Sequence, residues 1–289
     1  MIKIENLSVA FDGMEVVKNI TIEIADGEIV GVVGESGSGK SVTALTLMGL
    51  GKEDAVITSG RILFDNIVLA EAGKSKNKAL YRKYQGNDMS MIFQEPMTSL
   101  NPTKRAGIQV EEVLKLHTKL SKKERKQKVL ETFSSVGLKN PEKVYSSYPH
   151  QLSGGMRQRV MIAMAIILKP KLLVADEPTT ALDVTVQNQI IGLLKEINEQ
   201  QKNAMLFITH DLNLARRICN RIVVMKSGMI VEQGETEVIF ESPKENYTKH
   251  LMEAVPKRIK KKAKVTESAS VSASLKKLSK VSREEDEKA

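Results

Sequence analysis

The sequence predicts an α/β fold, a mostly parallel β-sheet covered on both faces and interrupted by a helical insertion. Three observations carry this reading. Short apolar runs of strand length alternate with segments of helical period towards both ends of the chain. The stretch between them, from Ile108 to Val136, keeps a helical period throughout. The composition, 41% apolar and 27% charged over 289 residues, is close to the usual globular mix and allows a substantial core.

The elements follow in order. Ile20, Ile22 and Ile24 alternate with polar residues, as in a strand with one buried face. Asp26-Gly27 turns the chain into the apolar run Ile29 to Val33, and an apolar helix is expected over Val42 to Leu50. Ile62 to Phe64 marks another strand. Ile108, Val113, Leu114, Leu116 and Leu120 suit one face of an amphipathic helix. Val129, Leu130, Phe133 and Val136 suit a second, stopping near Gly137 and Pro141. After Pro170 come a buried strand, Leu172 to Ala175, a helix through Ile190, Ile191, Leu194 and Ile197, and a strand from Met205 to Thr209. Arg221 to Lys226 and Met229 to Glu232 flank Ser227-Gly228 as a hairpin.

Composition also excludes function classes. Cys219 is the only cysteine, which rules out an internal disulfide and fits a reducing compartment. As a small apolar residue it is expected in the core. Trp is absent and aromatics are 4%, so a stacking surface for nucleic acid is not expected. The net charge of +9 is concentrated: residues 257–289 hold eleven basic and five acidic residues, leaving +3 on residues 1–256. A segment rich in Lys, Ser and Ala cannot bury enough apolar surface to offset its ordering entropy. Residues 257–289 are therefore expected to form a disordered tail, with attraction to anionic lipid the lesser alternative. The longest apolar run, Val160 to Leu168, has nine residues, against ~20 needed to cross a bilayer. The first residues show no signal-peptide pattern, so the chain is expected neither to span a membrane nor to be secreted.

Three motifs carry chemistry. Gly34-Glu35-Ser36-Gly37-Ser38-Gly39-Lys40-Ser41 satisfies the phosphate-loop pattern between an apolar strand and an apolar helix. Its glycines let successive backbone N–H groups curl around phosphate oxygens, and the helix N-terminus adds partial positive charge. Lys40 supplies a full charge, and the Ser41 hydroxyl can hold magnesium. The strand Leu172 to Ala175 ends in Asp176-Glu177. Asp176 can reach the magnesium shell, and Glu177 can polarise a water for in-line attack on a γ-phosphate. An acidic pair alone is more often a strand end and helix cap; beside a phosphate loop the catalytic reading is stronger. In Leu152-Ser153-Gly154-Gly155-Met156-Arg157-Gln158-Arg159, Ser153 is a good N-cap and the glycines admit an anion. One nucleotide rarely needs two such termini from one chain. A dimer in which each terminus caps the partner's nucleotide accounts for both.

In this order the three motifs resemble those of ATP-binding-cassette (ABC) ATPases. The resemblance implies a P-loop NTPase with a RecA-like mostly parallel sheet, an N-terminal antiparallel β subdomain and an inserted α-helical subdomain. It places the ATPase domain at residues 1–256, with the helical subdomain at about 95–168, and implies ATP and Mg2+ as cofactors. It implies that Phe11 stacks on adenine and that Gly34, Glu35, Ser36, Gly37, Ser38, Gly39, Lys40, Ser41, Thr43 and Gln94 bind ATP. Ser41, Gln94 and Asp176 would hold the metal, and Glu177, His210 and Lys40 would carry catalysis. Ser153, Gly154, Gly155 and Gln158 would face the partner's ATP, and Asp183 would lie in the loop contacting the opposing subunit.

Three further segments resemble the oligopeptide, dipeptide and nickel importer branch: Gln94 to Pro102, Thr179 to Gln187, and Ser242 to Thr248. Met156 stands where the general signature has glutamine, as is common in this branch. Some members carry a cysteine cluster after the Tyr-Thr segment; with Cys219 alone, this chain has no case for an iron–sulfur site. The branch implies an energy-coupling ATPase of an importer for peptides, nickel or other small solutes. Implied partners are a second ABC ATPase subunit, identical or homologous, two membrane permease subunits and, indirectly, an extracytoplasmic solute-binding protein. Nucleic acid is not among them. The implied location is peripheral, on the cytoplasmic face of the cell membrane. A soluble, non-transport ABC-type ATPase is the alternative. It is disfavoured by the single phosphate loop and by the separation of 111 positions between Lys40 and Gln151, too short for a long coiled coil.

Overall fold

Two β-sheets organise the protein, for which a computed structural model describes residues 1–74 and 77–253. The expected tail, 257–289, lies outside the described residues. The first sheet is antiparallel and contains β1 (Ile2–Phe11), β2 (Met14–Ile24), β4 (Val56–Phe64) and β5 (Ile67–Glu71), in the order β2-β1-β4-β5. Ile20, Ile22 and Ile24 face the core as their alternation predicts, and they pair with Leu7, Ile4 and Ile2. The strand character of β1 is hidden in the sequence by a bulge. Asn6 takes φ 48°, the register shifts between Ile4 and Leu7, and the alternation of Ile2 and Ile4 gives way to an unbroken buried run from Leu7 to Ala10.

The second sheet has the order β10-β9-β3-β8-β7-β6, with β3 (Ile29–Val33), β6 (Met89–Ile92), β7 (Leu172–Asp176), β8 (Ala204–Thr209), β9 (Arg221–Lys226) and β10 (Met229–Glu235). Its pairings are parallel except for the β9–β10 hairpin. Alternate residues of one strand enter two different cores. Met205 and Phe207 of β8 pack with the helical side, whereas Leu206 and Ile208 pack with the antiparallel sheet and α1 (Lys40–Leu47). Burial on both faces explains why these strands read as unbroken apolar runs.

Between β5 and β7 the chain forms α2 (Lys78–Tyr84), β6, then α3 (Pro96–Ser99), α4 (Ala106–His117), α5 (Lys122–Ser135), α6 (Pro141–Ser146) and α7 (Gly154–Ile166). α5 opens with a capping box: the Ser121 hydroxyl accepts from the Glu124 N–H, and the Glu124 carboxylate accepts from the Ser121 N–H at 2.7 Å. Val110 and Leu114 of α4 pack with Val129 and Phe133 of α5 and Val160 of α7. The expected apolar face of α4 needs correction, because Ile108 and Leu116 are 41% and 74% exposed. The remaining helices are α8 (Val184–Gln201), α9 (Leu212–Ile218), α10 (Thr236–Glu241) and α11 (Asn246–Glu253). Among the described residues, no helix is long and apolar enough to cross a membrane.

Candidate active site

The site forms at the carboxyl ends of parallel strands, where open α/β sheets present loops to ligands. β3 ends at Val33 and the phosphate loop leads into α1. Gly34 takes φ 151°, and a Cβ there would lie 2.2 Å from the Met225 carbonyl oxygen, so only glycine fits. The Ser38 N–H donates to the Glu35 carbonyl at 3.2 Å, closing the turn. Lys40 is 5% exposed, and its Nζ donates to the carbonyls of Gly34 and Glu35, both at 2.8 Å. Burial lowers its pKa, opposed by the carboxylates of Glu177, Asp176 and Glu35. Ser36 and Gly37 are exposed, whereas Ser38 and Gly39 are buried. Thr43 is buried too, with its hydroxyl donated to the Gly39 carbonyl at 2.9 Å.

The Ser41 hydroxyl donates to Asp176 Oδ1 at 3.1 Å, joining the loop of β3 to the end of β7 across the intervening β8. Burial raises the Asp176 pKa. This hard-oxygen pair fits Mg2+, which is usually held by one or two carboxylates together with substrate phosphates. Glu177, the next residue, has φ 45°, a left-handed conformation costing ~1–3 kcal/mol for a non-glycine residue. Its Oε2 accepts from Gln94 Nε2 at 3.2 Å and Thr180 Oγ1 at 3.0 Å, and lies 3.1 Å from His210 Nδ1. Gln94 follows β6, Thr180 follows β7 and His210 follows β8, so three neighbouring strands bring three side chains to one carboxylate oxygen. Gln94 thus sits on Glu177 rather than on the Ser41–Asp176 pair. Thr180 is a member of this cluster that motif reading missed; its only sequence signal was its place in the segment Thr179 to Gln187.

The signature residues lie apart from that cluster. Ser153 caps α7, its hydroxyl accepting from the Met156 N–H at 3.3 Å. A Cβ on Gly155 would lie 2.9 Å from Val186 Cγ1, so glycine there lets α7 approach α8 closely. Ser153, Gly154 and Gly155 share a depression of about 440 Å³ with Ala181, Leu182 and Asp183. Among the described residues, no hydrogen bond joins the signature to the phosphate loop. Asp183 caps α8 by accepting from the Val186 N–H at 3.0 Å. Gln158, expected to face a partner's ATP, is instead 1% exposed with an unpartnered Nε2, because it lies on the inner side of α7. Phe11 is half-buried at the end of β1, opposite Met14.

A phosphate loop braced by a strand-end aspartate, with a second carboxylate held at the next position, defines a P-loop nucleoside triphosphatase. Residues 17–180 match the ABC transporter family. The chain is 47% identical over 260 residues to the dipeptide transport ATP-binding protein DppD of Haemophilus influenzae, covering 89% of this chain and 78% of that one. It is 48% identical over 265 residues to the peptidoglycan transport ATP-binding protein YejF of Agrobacterium fabrum, covering 89% of this chain and 47% of that protein. The fold resembles the dimeric post-hydrolysis structure of the ATP-binding cassette MJ0796 bound to ADP and Pi, with TM-score 0.71 and 30% identity, covering 82% of this chain and 99% of that one. The chain belongs to the ABC transporter family and is an ABC-type ATPase.

The buried aspartate yields a test of pH linkage. Because the folded pKa of Asp176 is raised, its carboxylate opposes folding above that value, and the penalty fades as pH falls through the unfolded value. Asp176→Asn keeps an acceptor for Ser41 and removes the charge. The nucleotide-free variant should melt about 1–4 °C higher than wild type near neutral pH, with the gain shrinking in acid. A lower Tm at every pH would contradict this account.

Proposed function

We propose that this chain is the energy-coupling ATPase subunit of an importer whose cargo is peptidic, with nickel or another small solute as the second choice. The relatives named for dipeptide transport support that cargo class. ATP enters through the phosphate loop, and Lys40 turns from the loop carbonyls to the phosphate oxygens. Ser41 and Asp176 hold Mg2+, which neutralises charge on the phosphates. Glu177, restrained by Gln94, Thr180 and His210, orients the attacking water, and Phe11 offers its ring to the adenine.

One observation carries the dimer. The signature terminus and the Asp183 loop line a single depression that, among the described residues, shares no hydrogen bond with the phosphate loop. A second cassette, identical or homologous, completes each site: its signature closes on this chain's nucleotide, and this chain's signature on the other. Hydrolysis removes the bridging γ-phosphate and releases the closure. Two permease subunits convert that motion into alternating access, fed by an extracytoplasmic solute-binding protein. The exposed apolar side chains of Phe93, next to Gln94, and of Ile108 and Leu116 on α4 supply docking surface for them. The working place is then peripheral, at the cytoplasmic face of the membrane.

Ser153→Arg tests the composite site. The isolated variant should bind ATP as wild type does, because every phosphate ligand in the same chain is intact. Light scattering with Mg2+ and ATP should show no dimer, because the arginine fills the space a partner's γ-phosphate needs. An unchanged dimer would refute the composite site.

A further inference from the structure

The segment after the hairpin reaches back to the phosphate loop. The Glu232 carboxylate, on β10, accepts from the N–H groups of Lys244 at 2.8 Å and Glu245 at 3.2 Å. These two bonds fix the start of α11. One turn later, Tyr247 lies under Lys226, whose Nζ is 4.5 Å from the ring centroid. Its hydroxyl accepts from the Glu35 N–H at 3.3 Å. The hairpin holds the other side of the loop, with the Gly228 N–H donating to the Ser38 carbonyl at 3.1 Å.

The Glu35 N–H and the Gly34 carbonyl belong to one peptide group. In a trans peptide they point in opposite directions. The carbonyl accepts from Lys40 Nζ at 2.8 Å, and the N–H ends on Tyr247. Tyr247 and Lys40 therefore grip one peptide plane from its two sides. The hydroxyl approaches from the side away from Lys40, so it braces the loop without competing for the ammonium. Burial raises the Tyr247 pKa above the usual phenol value.

We infer that Tyr247 is a positioning residue for the phosphate loop: held by Glu232 through the start of α11, it fixes the Gly34–Glu35 peptide and so pre-organises Lys40 for the nucleotide. The inference rests on the reading of the loop as the ATP site. Without the brace the peptide is held only from the Lys40 side, and ATP binding, which draws Lys40 to the phosphates, must bear the cost of ordering it.

Full-length Tyr247→Phe, titrated with Mg2+-ATP by calorimetry, should bind about two- to tenfold more weakly than wild type, the range for one neutral hydrogen bond. Its nucleotide-free Tm should stay within about 2 °C of wild type, because the packing of the ring is kept. Hydrolysis at saturating ATP in the assembled complex should be unchanged within about twofold, so the effect appears in KM and not in kcat. Glu232→Ala should weaken binding in the same range. The double variant should be no weaker than the weaker single one, because both act through one segment. Unchanged affinity in Tyr247→Phe, or fully multiplicative effects in the double variant, would overturn the inference. So would a fall in kcat or in nucleotide-free Tm as large as the fall in affinity. Lys40→Ala separates the two readings. If it loses ATP while Tyr247→Phe does not change, only the brace fails; if wild type does not bind ATP, the site reading fails with it.

Discussion

Glu177→Gln should lower ATP hydrolysis by ~10²–10⁴-fold, the usual cost of losing a positioned general base. The substitution keeps the side-chain shape but removes most of its basicity. The amide oxygen can still accept from Gln94 or Thr180, which now hold Glu177 at 3.2 and 3.0 Å, so the left-handed turn at this residue should persist. ATP binding should survive, because Lys40, Ser41 and Asp176 are untouched and one negative charge near the phosphates is gone. With the correct partner cassette present, the closed dimer should then accumulate around uncleaved ATP and appear by light scattering. Adding Ser153→Arg should abolish that trapped species. Hydrolysis at the wild-type rate in the glutamine variant would remove Glu177 from the mechanism.

Lys40→Ala should abolish turnover and weaken ATP binding by at least about 100-fold, since a charge-assisted contact in a largely dehydrated site is lost. The fold should be retained. Lys40 is buried, its ammonium donates to two backbone carbonyls and the Ser38 hydroxyl, with no carboxylate among these partners, and burial depresses its pKa. A base whose folded pKa is lowered contributes instability at pH values below it, so removing the charge does not remove support from the nucleotide-free protein. Calorimetry and a melting curve together check this. Unchanged affinity would show that the loop is not the phosphate site, and a collapsed Tm would show that Lys40 is structural.

Much of this site was legible because its parts are local. The glycine spacing at Gly34, Gly37 and Gly39, the apolar strand running into Asp176-Glu177, and the N-cap serine before Gly154-Gly155 each need only a few consecutive residues. Turn, strand end and helix cap are short-range events. The two flanks of alternating strands and helices were legible for the same reason, as was the helical insertion. Where a pattern was broken, it misled: the bulge at Asn6 hid β1, and β6, with four residues, is too short to show a period. α4 misled in the opposite way, because its sequence carries more apolar residues than its core face uses.

What the sequence by itself determined is therefore the inventory: a phosphate loop, a strand-end acidic pair, a capped signature helix and an order of motifs that fits one family. The tertiary structure alone decided their assembly. Gln94, Glu177, Thr180 and His210 converge because β6, β7 and β8 are neighbours, and that neighbourhood depends on burying alternate residues of each strand in two separate cores. The same long-range packing turned Gln158 inward and carried Tyr247, 212 residues from Glu35, onto the phosphate loop. Local propensity cannot specify such contacts, because the free energy that selects strand order is shared over the whole sheet rather than stored in any one segment.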